Sequence, residues 1–232
     1  MNGGPIVTTR FERSPALARL IIPAARVLRR CYYRAQAFGN EHIPADRPVI
    51  YVAKHPQTFL YLETVLLALF TFWDNDRPPI RVLEKTGTSI HRTPVLGWMR
   101  RNVNAVPATE EHALDALAHG ESLLIFPGGT RELYGPRDTL RWEGRTGFAR
   151  LAIAAGVPVL PFAIAGADRQ HWGRLALGKA SLWLPPFPLP VRMDYHFGPP
   201  MMPRPGEEPA AFAARVEAAT RDLIAAGRRR AA

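Results

Sequence analysis

The sequence predicts an α/β domain: a mixed, mainly parallel sheet flanked by helices, with an amphipathic helix at the N-terminus. Three observations carry this. Short apolar runs of strand length alternate with segments of helical period. Several runs stop abruptly at a polar or glycine-rich turn, the pattern of buried strands that deliver loops to one edge of a sheet. With 232 residues, 47% of them hydrophobic, the chain has enough apolar material for a sizeable core and too much for disorder. No internal repeat or linker divides it, so the expected organisation is a helical segment over 1–34 and one domain over 35–232.

In chain order, Ser14-Pro15 is a helix start, a capping hydroxyl before a first-turn proline. Leu17, Ile21, Ala24, Ala25 and Leu28 form an apolar stripe, Arg19, Arg26, Arg29, Arg30 and Arg34 lie largely off it, and Pro23 is a point for a kink. Such a helix, closed by Tyr32 and Tyr33, suits a membrane interface and equally suits packing on its own domain with a solvated basic face. Residues 35–40 read as a short strand and 49–53 as a core strand ending at Lys54-His55-Pro56-Gln57-Thr58. The apolar stretch 60–72 is the following helix and 80–83 the next strand. Residues 96–101 read as a helix end with two arginines, 105–107 as a brief strand, and 111–119 as a short helix stopped by Gly120.

That helix feeds the strand 122–126 and its loop, Phe126-Pro127-Gly128-Gly129-Thr130-Arg131-Glu132. Residues 134–145 are polar and irregular. A helix over 147–155, stopped by Gly156, leads into a strand over 158–164. The proline-rich apolar stretch 183–190 is either a loop turned to lipid or a rigid wrapper of the core. Residues 191–197 alternate like an edge strand, and 210–226 form a closing helix before Arg228, Arg229 and Arg230, which suit its dipole.

Composition narrows the function. Lys+Arg exceed Asp+Glu by 30 to 20, a formal charge of +10, and lysine stands only at 54, 85 and 179. Such a surface favours acidic partners, either phosphorylated small molecules or anionic lipid. Nucleic acid is disfavoured, because neither a basic helix-turn-helix nor an aromatic-basic ladder is present. Cys31 is the single cysteine, so no intrachain disulfide forms and a cytosolic or cytosol-facing protein is expected. No apolar run reaches the roughly 18–20 residues that span a bilayer. Residues 60–73 come nearest, and Glu63 interrupts them.

His55 is the best candidate for a general base, since imidazole takes a proton near neutrality and this one sits at a strand end. The other histidines show no metal-ligand spacing, and Cys31 lies away from every motif. There is no GxSxG elbow, and the glycine loop lacks the Gly-Lys-Ser/Thr ending of a nucleotide-binding loop. Gly128 and Gly129 allow a sharp turn and close approach of a ligand, and Arg131 suits a bidentate anion contact.

Taken together, His55-Pro56-Gln57-Thr58, Phe126-Pro127-Gly128-Gly129-Thr130-Arg131 and Val157-Pro158-Val159-Leu160-Pro161 resemble the blocks of the glycerolipid acyltransferase superfamily over about residues 35–200. Leu140-Arg141-Trp142-Glu143-Gly144-Arg145-Thr146-Gly147-Phe148 is similar to the subgroup of diacylglycerol and monoacylglycerol acyltransferases, in which the third-block glutamate is commonly glycine. The resemblance implies a glycerol-3-phosphate acyltransferase-like fold. It also implies transfer of a fatty acyl chain from acyl-CoA or acyl carrier protein to a lipid hydroxyl, with no metal or redox cofactor. His55 would be the base, and Phe126, Pro127, Gly128, Gly129, Thr130 and Arg131, with Arg141 and Arg145, would meet substrate. Work at the cytoplasmic face of a membrane, bound peripherally to anionic lipid, is the corresponding expectation.

Two departures from the family pattern matter. The aspartate expected five positions after the histidine is Leu60 here, or Tyr61 if Pro56 is an insertion, and Glu63 is the nearest acid that could orient the ring. Where phosphate-handling relatives carry an arginine, this chain has Pro107-Ala108-Thr109-Glu110, which turns the expected acceptor away from glycerol phosphates. The missing aspartate also motivates an alternative: a catalytically weakened relative that binds lipid or acyl-CoA.

Overall fold

The structure, a computed structural model, describes residues 15–58, 62–84, 105–137, 139–177 and 180–231. The strands in chain order are β1 (Gln36–Phe38), β2 (Ile50–Val52), β3 (Ile80–Glu84), β4 (Ala105–Pro107), β5 (Ser122–Ile125), β6 (Val159–Ala165), β7 (Gly173–Leu177), β8 (Ala180–Leu184) and β9 (Asp194–Phe197). Seven of them form one sheet in the order β1-β9-β6-β2-β5-β3-β4, while β7 and β8 pair as a separate antiparallel hairpin. Neighbours from β6 to β4 are all parallel; β9 runs antiparallel to β6, and β1 is parallel to β9. The helices are α1 (Pro15–Val27), α2 (Leu62–Ala68), α3 (Glu110–Ala118), α4 (Thr130–Leu133), α5 (Gly147–Ala155) and α6 (Pro209–Ala231). A single π turn prolongs α1 over Leu28–Tyr32 and another prolongs α2 over Leu69–Trp73.

The period of two along each strand sorts the core into two layers. Val49, Tyr51 and Ala53, with Leu124, Leu160 and Phe162, face the side covered by α1 and α2, where Ala25, Tyr33, Leu66, Leu67 and Phe70 meet them. Ile50 and Val52, with Leu123 and Val159, face α3, α5 and α6 and pack on Leu117, Phe148, Phe212 and Val216. A parallel strand covered on both sides must be apolar at every position, which is why 49–53 reads as an unbroken apolar run. Burying each of Leu124, Leu160 and Phe162 contributes about 1.5–3 kcal/mol. The N-terminal helix packs against this core through Ala25, Ile22 and Leu28, and its Arg26 and Arg29 pair with Asp74 at 2.8 and 3.3 Å.

Three expectations change. Residues 194–197 are not an edge strand: β9 lies between β1 and β6, and all four of its residues are buried. The alternation misled because its polar members are accommodated inside. Asp194 accepts a bifurcated hydrogen bond from Nε–H of Arg192, 2.9 and 3.1 Å from its two carboxylate oxygens, and the His196 ring stacks on Phe38 at 5.1 Å. Trp183 and Leu184 belong to β8 rather than to a loop. The closing helix runs on through the arginines to Ala231. The expected helix end over 96–101 and residues 59–61 lie outside the described residues.

At the β3–β5 side, Arg81 donates from Nε and Nη2 to the two carboxylate oxygens of Glu121 at 2.6 and 2.8 Å, with both side chains about nine-tenths buried. Removing one partner of such a pair exposes the cost of burying the other charge. Glu121→Ala is expected to lower stability by about 3–5 kcal/mol in urea unfolding, and Arg81→Met with Glu121→Met to lower it less than that.

Candidate active site

The parallel register brings the predicted motifs to one edge. Val52 of β2 pairs with Ile125 of β5 and with Pro161 of β6. His55 and Gly128 therefore each stand three residues beyond a paired position, side by side at the C-terminal ends of their strands, where open α/β sheets hold their ligands. β6 runs further, to Ala165, and its exit through Gly166 carries Asp168 to the same edge.

His55 is only 8% exposed, and its ring lies 4.7 Å from that of Phe126. Its Nδ1 is 2.7 Å from the carbonyl oxygen of Pro56. A carbonyl can only accept, so Nδ1 carries the proton and donates it there, and Nε2 is the basic nitrogen. Burial lowers the ring's pKa to about 4; the Pro56 carbonyl and Asp168 oppose this, and the Lys54 cation adds to it. The imidazole is neutral at physiological pH.

Glu63 does not hold this ring. It lies in the first turn of α2, fully buried, and neither carboxylate oxygen has a hydrogen-bond partner. Tyr195 Oη, close by, donates instead to the main-chain carbonyl of Glu63 at 2.7 Å. Burial pushes the Glu63 carboxyl up to about 8, so the group is a neutral acid at pH 7.

The glycine loop turns on its own backbone. Gly129 N–H donates to Phe126 O at 3.0 Å, Arg131 N–H to Gly128 O at 3.2 Å, and Glu132 N–H to Gly129 O at 3.1 Å. Gly129 has φ 51° and ψ −133°, a conformation open to glycine and costly for other residues. Thr130 and Arg131 are exposed at the mouth of the loop, Phe126 and Pro127 are half-buried, and Gly128 is buried. Arg141 is half-buried beside the loop, with its Nε near Gly135. Arg145 is exposed and borders a different groove, with Trp142, Thr146 and Ala213.

Three further residues brace this edge. Glu132, at 0% exposure, accepts from His55 N–H at 2.7 Å and from Arg141 N–H at 2.9 Å, one on each carboxylate oxygen. Burial raises its pKa, and these two N–H donors oppose the rise. Asp168 accepts from Lys54 Nζ at 2.9 Å and from Gln57 N–H at 3.2 Å. Gln57 Nε2 donates to Glu132 O at 3.0 Å and to Gly135 O at 2.6 Å. The turn 54–57 is thus braced by Asp168 on one side and by α4 on the other. Glu132 adjoins the recognised loop and Gln57 lies in the recognised first block; the inward direction of Glu132 was not legible, because a four-residue helix gives no periodicity to read. Among the described residues no cluster of acids, histidines or cysteines could hold a metal, and no helix is long and apolar enough to cross a membrane.

Comparison with known proteins adds the following. A model described as acyltransferase matches residues 34–165. A 1-acyl-sn-glycerol-3-phosphate acyltransferase of Chlamydomonas reinhardtii is 30% identical over 146 residues, 58% of this chain and 40% of that protein. An uncharacterized protein of Mycobacterium tuberculosis is 27% identical over 156 residues, 66% of this chain and 43% of that one. A DGAT1/2-independent enzyme synthesizing storage lipids of Gallus gallus is 29% identical over 137 residues, 57% of this chain and 39% of that protein. The chain thus spans about two fifths of the length of these curated relatives. Among solved structures, the 1-acyl-sn-glycerophosphate acyltransferase PlsC of Thermotoga maritima superposes with a TM-score of 0.63 at 20% identity, over 93% of this chain and 83% of that one. This is a likeness of fold.

Glu63 gives a test of the buried arrangement that needs no substrate. Its folded pKa, about 8, lies above the ordinary 4.5, so the folded state keeps a proton that the unfolded state releases. That contribution is complete below the unfolded value and is lost as pH rises to the folded one, at up to about 1.4 kcal/mol per pH unit. Urea unfolding should show stability falling between about pH 5 and 8, and Glu63→Gln should flatten that slope.

Proposed function

The chain belongs to the acyltransferase family, and from that premise we propose that it transfers a fatty acyl group from a thioester, acyl-CoA or acyl carrier protein, to a lipid hydroxyl. His55 is the general base. The observation that carries this reading is the bond from His55 Nδ1–H to the Pro56 carbonyl, which leaves the basic nitrogen at Nε2 without the family's aspartate. It counts against the alternative, a weakened lipid-binding relative, whose motive was that aspartate's loss.

In the proposed step, Nε2 takes the proton of the acceptor hydroxyl as its oxygen attacks the thioester carbonyl carbon. The tetrahedral oxyanion collapses, the carbon–sulfur bond breaks, and the leaving thiolate takes the proton from the imidazolium to give an ester and a free thiol. A base with a pKa near 4 is weak at rest. The oxyanion that develops beside it raises its proton affinity along the path, and donors fixed at that oxygen lower the barrier further. The loop's internal bonds use the N–H groups of Gly129, Arg131 and Glu132, which makes those of Gly128 and Thr130 the donors assigned to the oxyanion. Arg131 and Arg141 are assigned to anionic parts of the substrates. Arg145, on its other groove, is the weakest of the expected contacts.

His55→Ala is expected to reduce acyl transfer to a lipid acceptor panel at least ~100-fold with the protein still folded. The wild-type kcat/KM should stay level down to about pH 5 and fall towards pH 4, because protonation of a ring with a pKa of about 4 removes the base. Transfer that survives His55→Ala would refute the base assignment, and lipid binding without any transfer by the wild type would favour the weakened relative.

Both substrates are amphiphilic, so the site works at a bilayer surface. The supporting observation is a run of exposed apolar groups next to it. Trp172 and Phe187 are each 75% exposed, and Leu175, Leu184 and Tyr134 also face solvent. Tyr134 follows the glycine loop directly and stacks on Trp183 at 6.5 Å, while Tyr32 Oη at the end of α1 donates to Pro188 O at 2.6 Å. The apolar patch therefore joins the N-terminal helix to the site. Because Arg26 and Arg29 face Asp74, the hairpin aromatics are expected to dominate anchoring. Trp172→Ser with Phe187→Ser should weaken flotation with anionic vesicles by about tenfold or more.

A further inference from the structure

The side chain missing at Gly128 has a physical counterpart. A Cβ built at Gly128 would fall on the carboxyl carbon and Cγ of Glu132, well inside van der Waals contact. The space in which a side chain at 128 would begin is therefore already filled by the side chain of residue 132. From there the Glu132 carboxylate reaches two separate segments: Oε2 accepts the N–H of His55 and Oε1 that of Arg141. Gln57, two residues after His55, donates to the main-chain carbonyl of the same glutamate.

We infer that Glu132 is a positioning residue for the acyl-transfer reaction, and that its carboxylate does from position 132 what a carboxylate at position 128 would do in a chain with glutamate there. The inference rests on the proposed role of His55. A carboxylate suits this place and an amide does not, because both oxygens face N–H donors. An amide would accept from one and set its own N–H2 group against the other, leaving a buried donor unsatisfied. The consequence for the chemistry is indirect. Glu132 fixes the backbone of His55, and with it the direction of Nε2, relative to the glycine loop. A displacement of about 1 Å at such a place costs on the order of 10²-fold in rate. Gly128 is then required by Glu132 rather than by the turn: the residue that needs φ > 0 is Gly129, and Gly128 must be glycine because the carboxylate lies where its Cβ would be.

The test is a rescue. Purified full-length protein is prepared as Glu132→Ala, Gly128→Glu, the double variant Gly128→Glu with Glu132→Ala, and His55→Ala, and kcat, KM for the acyl thioester and thermal midpoint are measured for each. Glu132→Ala should lower kcat about 10²-fold with KM changed by less than about threefold. Gly128→Glu alone should unfold at much lower temperature than the wild type, because two side chains compete for one space. The double variant should recover both the midpoint and most of kcat, its carboxylate now reaching the two N–H groups from 128. A filler with only a structural role would have its midpoint restored without kcat. The inference is overturned if Glu132→Ala keeps more than about half of kcat, if the double variant is no faster than Glu132→Ala, or if the double variant does not fold. Failure of the underlying reading looks different: His55→Ala would then retain activity whatever the variants at 128 and 132 do.

Discussion

A hydrogen bond between neighbouring residues, from Nδ1–H of His55 to the carbonyl of Pro56, selects which ring nitrogen is basic. The rest of the edge exists to keep that bond in place. The apolar sheet beneath it, with Tyr51 and Val52 fully buried, provides a rigid strand end. Phe126 packs on the ring and helps to exclude water, and that exclusion is what depresses the ring's pKa. The turn after the strand would be free to move were it not for Asp168, which holds Lys54 and Gln57, and Glu132, which holds the N–H of His55. Two carboxylates, Glu132 of α4 and Asp168 of the turn after β6, thus converge on the segment 54–57.

The two acids near the site show how environment decides role. Glu132 and Glu63 are both completely buried. Glu132 meets two N–H donors, one at each carboxylate oxygen, and these oppose the rise that burial imposes on its pKa. Glu63 meets none at its carboxylate and is driven to the neutral form, next to the phenols of Tyr33 and Tyr195. Distance along the chain favoured Glu63 as the partner of His55. Bonding favours the backbone carbonyl for the ring and Glu132 for the main chain.

Much of the fold was legible because parallel strands covered on both faces must be apolar, and 49–53, 123–126 and 158–164 are. Helix α5 could be bounded by its stop at Gly156, which adopts φ 64°. The sequence misled where polar residues are buried with partners: Asp194 and His196 gave β9 the look of an edge. The β7–β8 hairpin escaped: Leu175 and Leu184 within it point to solvent. At the site, His55 and the glycine loop could be recognised from local pattern. Asp168 could not, since what matters is its contact with Gln57, 111 positions away.

The central claim is that His55 rests as a neutral imidazole with its proton on Nδ1 and its lone pair on Nε2. Histidine-selective 15N NMR on the intact protein, with the His55 signals assigned by their loss in His55→Gln, observes this directly. The account predicts a protonated Nδ1 and an unprotonated Nε2 throughout the range from about pH 5 to 8. A proton on Nε2, or a doubly protonated ring near neutral pH, would contradict it.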